Sequence, residues 1–396
     1  MKLRMSLTRR NFVGITSTML ATSLVPMRTL MATESGPSID DMIVINGLGG
    51  ISNQNLWVMS QAGKAESLGN SSIRRMRSID ARAIRDAHTS GLTATNATLG
   101  YVAGPGEPYE YTVNDIATWN AIIQAHPHDL LKVWNTQDIS RAKKTNKLGI
   151  IFGFQNARCL GDKPERARTF ANLGVRIIQL TYNDKNQLGD GSGVAANRGL
   201  TELGREAVAA LNENRVLIDL SHSGENTCLD AIEASSSPLT ISHTGCRALN
   251  DIPRNKTDRE MRMVAEKGGV VGIYFMPFLR EDGQARAVDV VTHLEHALNI
   301  CGEDHVGIGT DGDVTAIDDM AQYRLAIAEE VKQRRQAGVS AKGESNSVIP
   351  MIPDLSGPTQ FQKLASLLSQ RGHSDRVIQK ILGANFHRLM RDVWPA

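Results

Sequence analysis

Eight short apolar runs rich in β-branched residues recur along this chain with helix-length periodic segments between them, and no other feature restricts its possible folds as much. The runs cover 42–46, 91–96, 148–154, 175–181, 216–220, 239–242, 269–275 and 305–309. The segments 72–90, 113–125, 163–173, 201–214, 226–234, 257–267 and 288–301 are each long enough to cross over and return. Strands that are apolar almost throughout are what a parallel sheet covered on both faces demands. With no Pro/Gly/Ser-rich linker inside the alternation, the pattern predicts an α/β fold, a single (β/α)8 barrel of the TIM type; an open doubly wound sheet is the alternative. Asp258 is the expected cap of a helix over 259–267, and Gly268-Gly269 its stop. Residues 316–336 read as a charged helix, 337–357 as a loop, and 359–371 with 375–394 as a helical pair expected on the barrel wall. The domain is expected over 33–396, with 316–396 as its C-terminal helical extension.

The first 32 residues read as an address. S-L-T-R-R-N-F-V at 6–13 resembles a twin-arginine signal, and the apolar run at 14–26 is too short and too polar for a membrane span. Cleavage near Ala32 would leave a periplasmic protein. Such export carries proteins already folded, often around a cofactor, which favours a metal loaded in the cytoplasm. A formal charge of +2 with scattered Lys and Arg gives no nucleic-acid footprint. Cys159, Cys228, Cys246 and Cys301 form no C-x-x-C pair and are expected to be buried small hydrophobes.

The stretch 215–244 carries the clearest chemistry. Its two apolar runs each stop at a Ser-His pair, Ser221-His222 and Ser242-His243, with a helix-length segment between. In a parallel sheet both histidines emerge on the carboxyl-end face, where α/β folds bind ligands. The other strand ends supply Asn46-Gly47-Leu48-Gly49-Gly50, Asn96, Gln155-Asn156, Tyr182-Asn183-Asp184, Tyr274 and Asp311-Gly312-Asp313. Two histidines and an aspartate among amides and a phenol suit a metal-assisted hydrolase, since imidazole and carboxylate bind Zn²⁺ and an unshared carboxylate can carry the proton. Asp313 reads as a helix N-cap.

D-L-S-H at 219–222, I-S-H-T-G-x-R-A-L at 241–249, P-R-N-x-x-D at 253–258, K-G-G-V-V-G at 267–272 and H-V-G-I-G-T-D at 305–311 together resemble the membrane (renal) dipeptidase family of zinc metallopeptidases. The likeness extends upstream through R-I-I-Q-L-T-Y-N at 176–183 and downstream through L-G-A-N-F-H-R at 382–388. It implies a barrel with a two-zinc site hydrolysing dipeptides that have a free C-terminal carboxylate, often as a homodimer. By that resemblance His222 and His243 are the histidines of one zinc position, Asp311 is the proton shuttle, and Arg254 holds the substrate carboxylate, a role its bidentate guanidinium suits. Tyr182 stands where some members place a substrate-contacting histidine and can still donate a hydrogen bond, and Asn183 is expected beside it at the substrate.

The sequence departs from the family on the first strand, where a His-x-Asp pair is replaced by Leu48 and Gly50, and at the bridging glutamate, where Gln155 stands. One zinc per chain is therefore expected, held by His222 and His243 with Gln155, Asp311 or water completing the shell, and the other position is expected to be empty. The leading expectation is a periplasmic metal-dependent hydrolase cleaving a dipeptide or related amide. The alternatives are a tailoring or maturation factor acting on an exported peptide natural product such as a siderophore precursor, and a binding protein with a dead site.

Overall fold

A computed structural model describes residues 36–61, 79–104, 106–336 and 347–396. The leader expected over 1–32 lies outside the described residues. Eight parallel strands pair in the order β1 (Ile45–Asn46), β2 (Ala94–Leu99), β4 (Leu148–Phe154), β5 (Val175–Gln179), β6 (Leu217–Asp219), β7 (Thr240–Thr244), β8 (Val270–Ile273) and β9 (Val306–Ile308). A short β3 (Leu130–Lys132), not foreseen from sequence, pairs with β4 off that path. The sheet curls until its ends meet. Gly47 N–H donates to Ile308 O at 2.8 Å, Asp311 N–H to Leu48 O at 2.9 Å, and Gly50 N–H to Gly312 O at 3.0 Å, giving a nearly closed barrel. The Asn46 carboxamide fastens the same seam, with Nδ2 donating to Thr310 Oγ1 and Oδ1 accepting from Thr310 N–H, both at 2.8 Å.

Every residue of β4 and β5 is buried, as strands covered on both faces must be. Ile150, Phe152, Ile178, Ile218, Ile241, Val271 and Ile273 face the surrounding helices, while Ile45, Ile151, Ile177, Leu217 and Val270 face the barrel axis. The inward set packs against Phe386, Leu389, Met390, Val393 and Trp394. The last helix, Asn385–Val393, thus plugs the amino-terminal end of the barrel instead of lying on its wall, and each of those buried side chains contributes about 1.5–3 kcal/mol by burial. The expected 375–394 helix is also interrupted by a π-helical turn at Lys380–Ala384.

Other boundaries moved for local reasons. The helix Asp258–Glu266 is capped by Thr257, whose hydroxyl accepts from Glu260 N–H while Glu260 returns a bond to Thr257, so Asp258 is its first residue and not its cap. β2 runs three residues further than its apolar pattern, placing Asn96 inside the strand, where Nδ2 donates to Gly47 O at 2.8 Å. Two helices, Gln54–Gln61 and Thr136–Lys144, were not foreseen. All four cysteines are buried and free, and burial pushes the Cys159 and Cys301 thiols up to about 12. Among the described residues no helix is long and apolar enough to cross a membrane.

Candidate active site

β6 and β7 deliver the two histidines. β6 ends at Asp219, and a turn closed by Ser223 N–H to Leu220 O at 3.0 Å presents His222; His243 lies in the last turnings of β7 itself. Both rings are buried, and their Nε2 atoms stand 3.1 Å apart. A loop after β5 is laid against them through Ser192 N–H to His222 O and Gly193 N–H to Asn183 O, each 2.8 Å. It brings Asn183 Oδ1 to 2.7 Å from His222 Nδ1 and stacks the Tyr182 ring on that of His222, with centroids 4.2 Å apart.

Arg254 sits beneath. It is 3% exposed, donating from Nη1 to Ser221 O at 2.7 Å and from Nη2 to His243 O at 3.0 Å, with Nη2 also 3.3 Å from His222 Nε2. Its guanidinium lies over the Tyr274 ring, whose hydroxyl donates to Asn255. Burial, and next the positive charge of Arg254, hold both imidazoles well below the ordinary histidine range. They are neutral at pH 7, the form that can ligate.

Asn183 Oδ1 accepts from His222 Nδ1, which leaves the Nε2 of that ring as a lone pair. Two nitrogens each 2.0–2.1 Å from a tetrahedral zinc lie about 3.3 Å apart, close to the spacing found here. The pair therefore fits one cation. The first strand does not fit another: Leu48 offers no donor, and a Cβ on Gly50 would collide with Oδ1 of Asp313. Asp313 accepts from Ser52 N–H at 2.6 Å and from Gln54 Nε2, so it fastens the loop after β1 and is not the cap of a helix of its own. Gln155 donates from Nε2 to Thr98 Oγ1 at 2.8 Å and is not among the residues lining the histidine cavity. Among the described residues no three His, Cys, Asp or Glu side chains converge as a metal cluster.

His222, Arg254, Tyr182, Asn183 and Asp311 line one cavity of about 260 Å³. Asp311 stands just past β9 at φ 55°, a left-handed conformation uncommon for a residue with a side chain. The far wall was not foreseen from sequence. It is built by Met276, Pro277 and Phe278 after β8 and by Ile327, Glu330, Val331 and Arg334 of the helix Met320–Gln336. Their three-and-four spacing on one face was the available signal, but nothing local shows that this face looks down the barrel.

The chain matches the sequence model described as membrane dipeptidase (peptidase family M19) over residues 69–340. A Klebsiella pneumoniae protein described as an uncharacterized protein in the pqqA 5′ region is 27% identical over 301 residues, covering 73% of this chain and 98% of that one. Dipeptidase tcpJ of Claviceps purpurea is 25% identical over 286 residues, covering 71% of this chain and 60% of its own. Among solved structures, an amidohydrolase from Pseudomonas aeruginosa shares 31% identity with a TM-score of 0.71, over 90% of this chain and 97% of its own. A metallopeptidase named dipeptidase AC, at 19% identity and a TM-score of 0.69 over 90% and 99% of the two chains, shares the fold.

Proposed function

Because the chain belongs to the membrane dipeptidase family, peptidase family M19, and is a metallodipeptidase-like hydrolase, we propose that it works with a single zinc held at His222 and His243 and cleaves a dipeptide or related amide in the periplasm. The observation that carries this reading is the pair of buried, neutral imidazoles with Nε2 atoms 3.1 Å apart, one lone pair fixed by Asn183. The absence of donors at Leu48 and the obstruction at Gly50 support one metal per chain. Export rests on the paired Arg9 and Arg10 of the leader.

A metal bound there supplies Lewis-acid polarisation of the scissile carbonyl and of the attacking water. The chain's own residues do the rest. Arg254, locked by two backbone carbonyls, orients the substrate carboxylate without itself having to be ordered on binding. Asp311 takes the proton from the water and passes it to the leaving amine. Tyr182 fixes the His222 ring by stacking, and Phe278 with Ile327 and Val331 gives the cavity an apolar wall.

The test is metal content, by mass spectrometry, of mature protein purified from its own periplasm without added metal. About one zinc per chain, absent from His222→Ala, supports the reading; no metal after reconstitution, or full dipeptide turnover by His222→Ala, overturns it. The lost ligands of the first strand also favour a second reading, a tailoring enzyme on an exported peptide natural product. That one is supported if a deletion strain accumulates a periplasmic precursor while the purified, metal-loaded enzyme cleaves no dipeptide.

A further inference from the structure

Asp219 is fully buried, yet its carboxylate takes no part in the chemistry proposed above. Four donors converge on it. Oδ1 accepts from Ser221 N–H at 3.0 Å, Ser221 Oγ–H at 2.5 Å and Ser242 N–H at 3.0 Å, and Oδ2 accepts from Ser242 Oγ–H at 2.5 Å. Such a set complements a carboxylate and not a carboxylic acid. The proton of Ser242 Oγ is therefore committed to Asp219. Ser242 Oγ also stands 2.8 Å from His243 Nδ1, and with its own hydrogen spent it can only accept there. The Nδ1 of His243 must then carry the ring proton, and its Nε2 faces His222 as a lone pair. Ser221, its hydrogen likewise given to Asp219, accepts from His243 N–H at 3.1 Å and holds the backbone of the ring it helps to orient.

We infer that Asp219 is a positioning residue that sets the tautomer of His243 through the Ser242 hydroxyl, presenting Nε2 unprotonated toward the metal position. The two histidines are thus prepared by different devices: Asn183 directly for His222, and a carboxylate acting through a serine for His243. The inference rests on the proposed role of His243, but the tautomer exists without any metal and is measured separately from it.

The decisive measurement is nitrogen NMR of the imidazoles in metal-free protein. In the unaltered protein His243 carries its proton on Nδ1. In Asp219→Asn the carboxamide nitrogen donates to Ser242 Oγ, the serine hydrogen turns to His243 Nδ1, and His243 changes to the Nε2-protonated form while His222, held by Asn183, stays as it was. Zinc affinity of the same variant, read by competition with a chelator, falls about 10–100-fold. If Asp219→Asn does not fold, Ser242→Ala removes the relay with less disturbance and should give a mixed His243 tautomer and a comparable loss of zinc affinity. A His243 that keeps its proton on Nδ1 in the folded variant overturns the inference. A changed tautomer in a protein that binds no zinc in any form instead upholds it and overturns the proposed metal site.

Discussion

The carboxylate of Asp313 occupies the space into which a side chain on Gly50 would grow. Asp313 is held there by Ser52 N–H and Gln54 Nε2, so the space beside Gly50, where the resemblance expects an acidic ligand, is filled from across the barrel seam.

Restoring the acid alone should therefore fail. Gly50→Asp is expected to lower stability by about 1–3 kcal/mol through overpacking, with the zinc content of the protein unchanged. Adding Asp313→Ala should recover most of that loss. Urea denaturation and metal analysis of the single and double variants check both points, and a Gly50→Asp protein of unchanged stability would show that Asp313 moves aside freely.

Arg254 should not tolerate lysine. A lysine can reach only one of Ser221 O and His243 O and presents no planar fork to a carboxylate. Arg254→Lys is expected to lower kcat/KM for a dipeptide roughly 10–100-fold, mainly through KM, in line with about 1.5–3 kcal/mol for a hydrogen bond to a charged group. A dipeptide amide, which lacks the carboxylate, should lose almost nothing further in the variant; steady-state kinetics with the two substrates separate the cases.

Tyr182 acts through its ring face on His222. Tyr182→Phe should keep zinc affinity within about twofold, whereas Tyr182→Ala removes a stacked pair worth about 0.5–1.5 kcal/mol and should weaken zinc binding up to roughly tenfold. If Tyr182→Phe weakens zinc binding as much as Tyr182→Ala does, the hydroxyl and not the stack is what counts.

Acid should destabilise the fold through His293. Its Nδ1 accepts from Cys246 N–H and its Nε2–H donates to Leu279 O, both at 2.9 Å, so the neutral ring is fully satisfied. Burial brings its pKa down to about 4 from an ordinary 6.5. The unfolded chain then takes up the proton first: the contribution is present above pH 6.5 and is lost as the pH falls from there through about 4, to an extent on the order of 3 kcal/mol. His293→Gln should flatten the fall in urea midpoint between pH 7 and pH 4.5, although the substitution itself will lower stability at neutral pH.

How much of this was legible in the chain follows the range of the interactions involved. The eight strands could be read because burial on both faces leaves a continuous apolar run, a signal carried by neighbouring residues. β3 is a three-residue segment that exists only through its pairing with β4, and no local pattern announces it. The Thr257 cap was missed in favour of Asp258 because adjacent residues both suit the position, and the reciprocal bond from Glu260 decided between them. Asn96 looked like a strand end for the same reason: apolar character fades at Thr95 while the ladder continues to Leu99.

By itself the sequence determined the kind of fold, since periodicity is a local property, and it marked strand-end residues that the barrel gathers: His222, Arg254, Tyr182, Asn183 and Asp311 line one cavity, and His243 stands behind it with its Nε2 3.1 Å from that of His222. Tertiary structure alone decided what those residues are able to do. That Gln155 turns to Thr98, that Asp313 fills the room beside Gly50, and that Asp219 reaches His243 through Ser242 all depend on the barrel bringing together strands that are distant in sequence. Hydrogen-bond direction is set by which donor arrives within about 3 Å, and nothing in the order of residues fixes that distance.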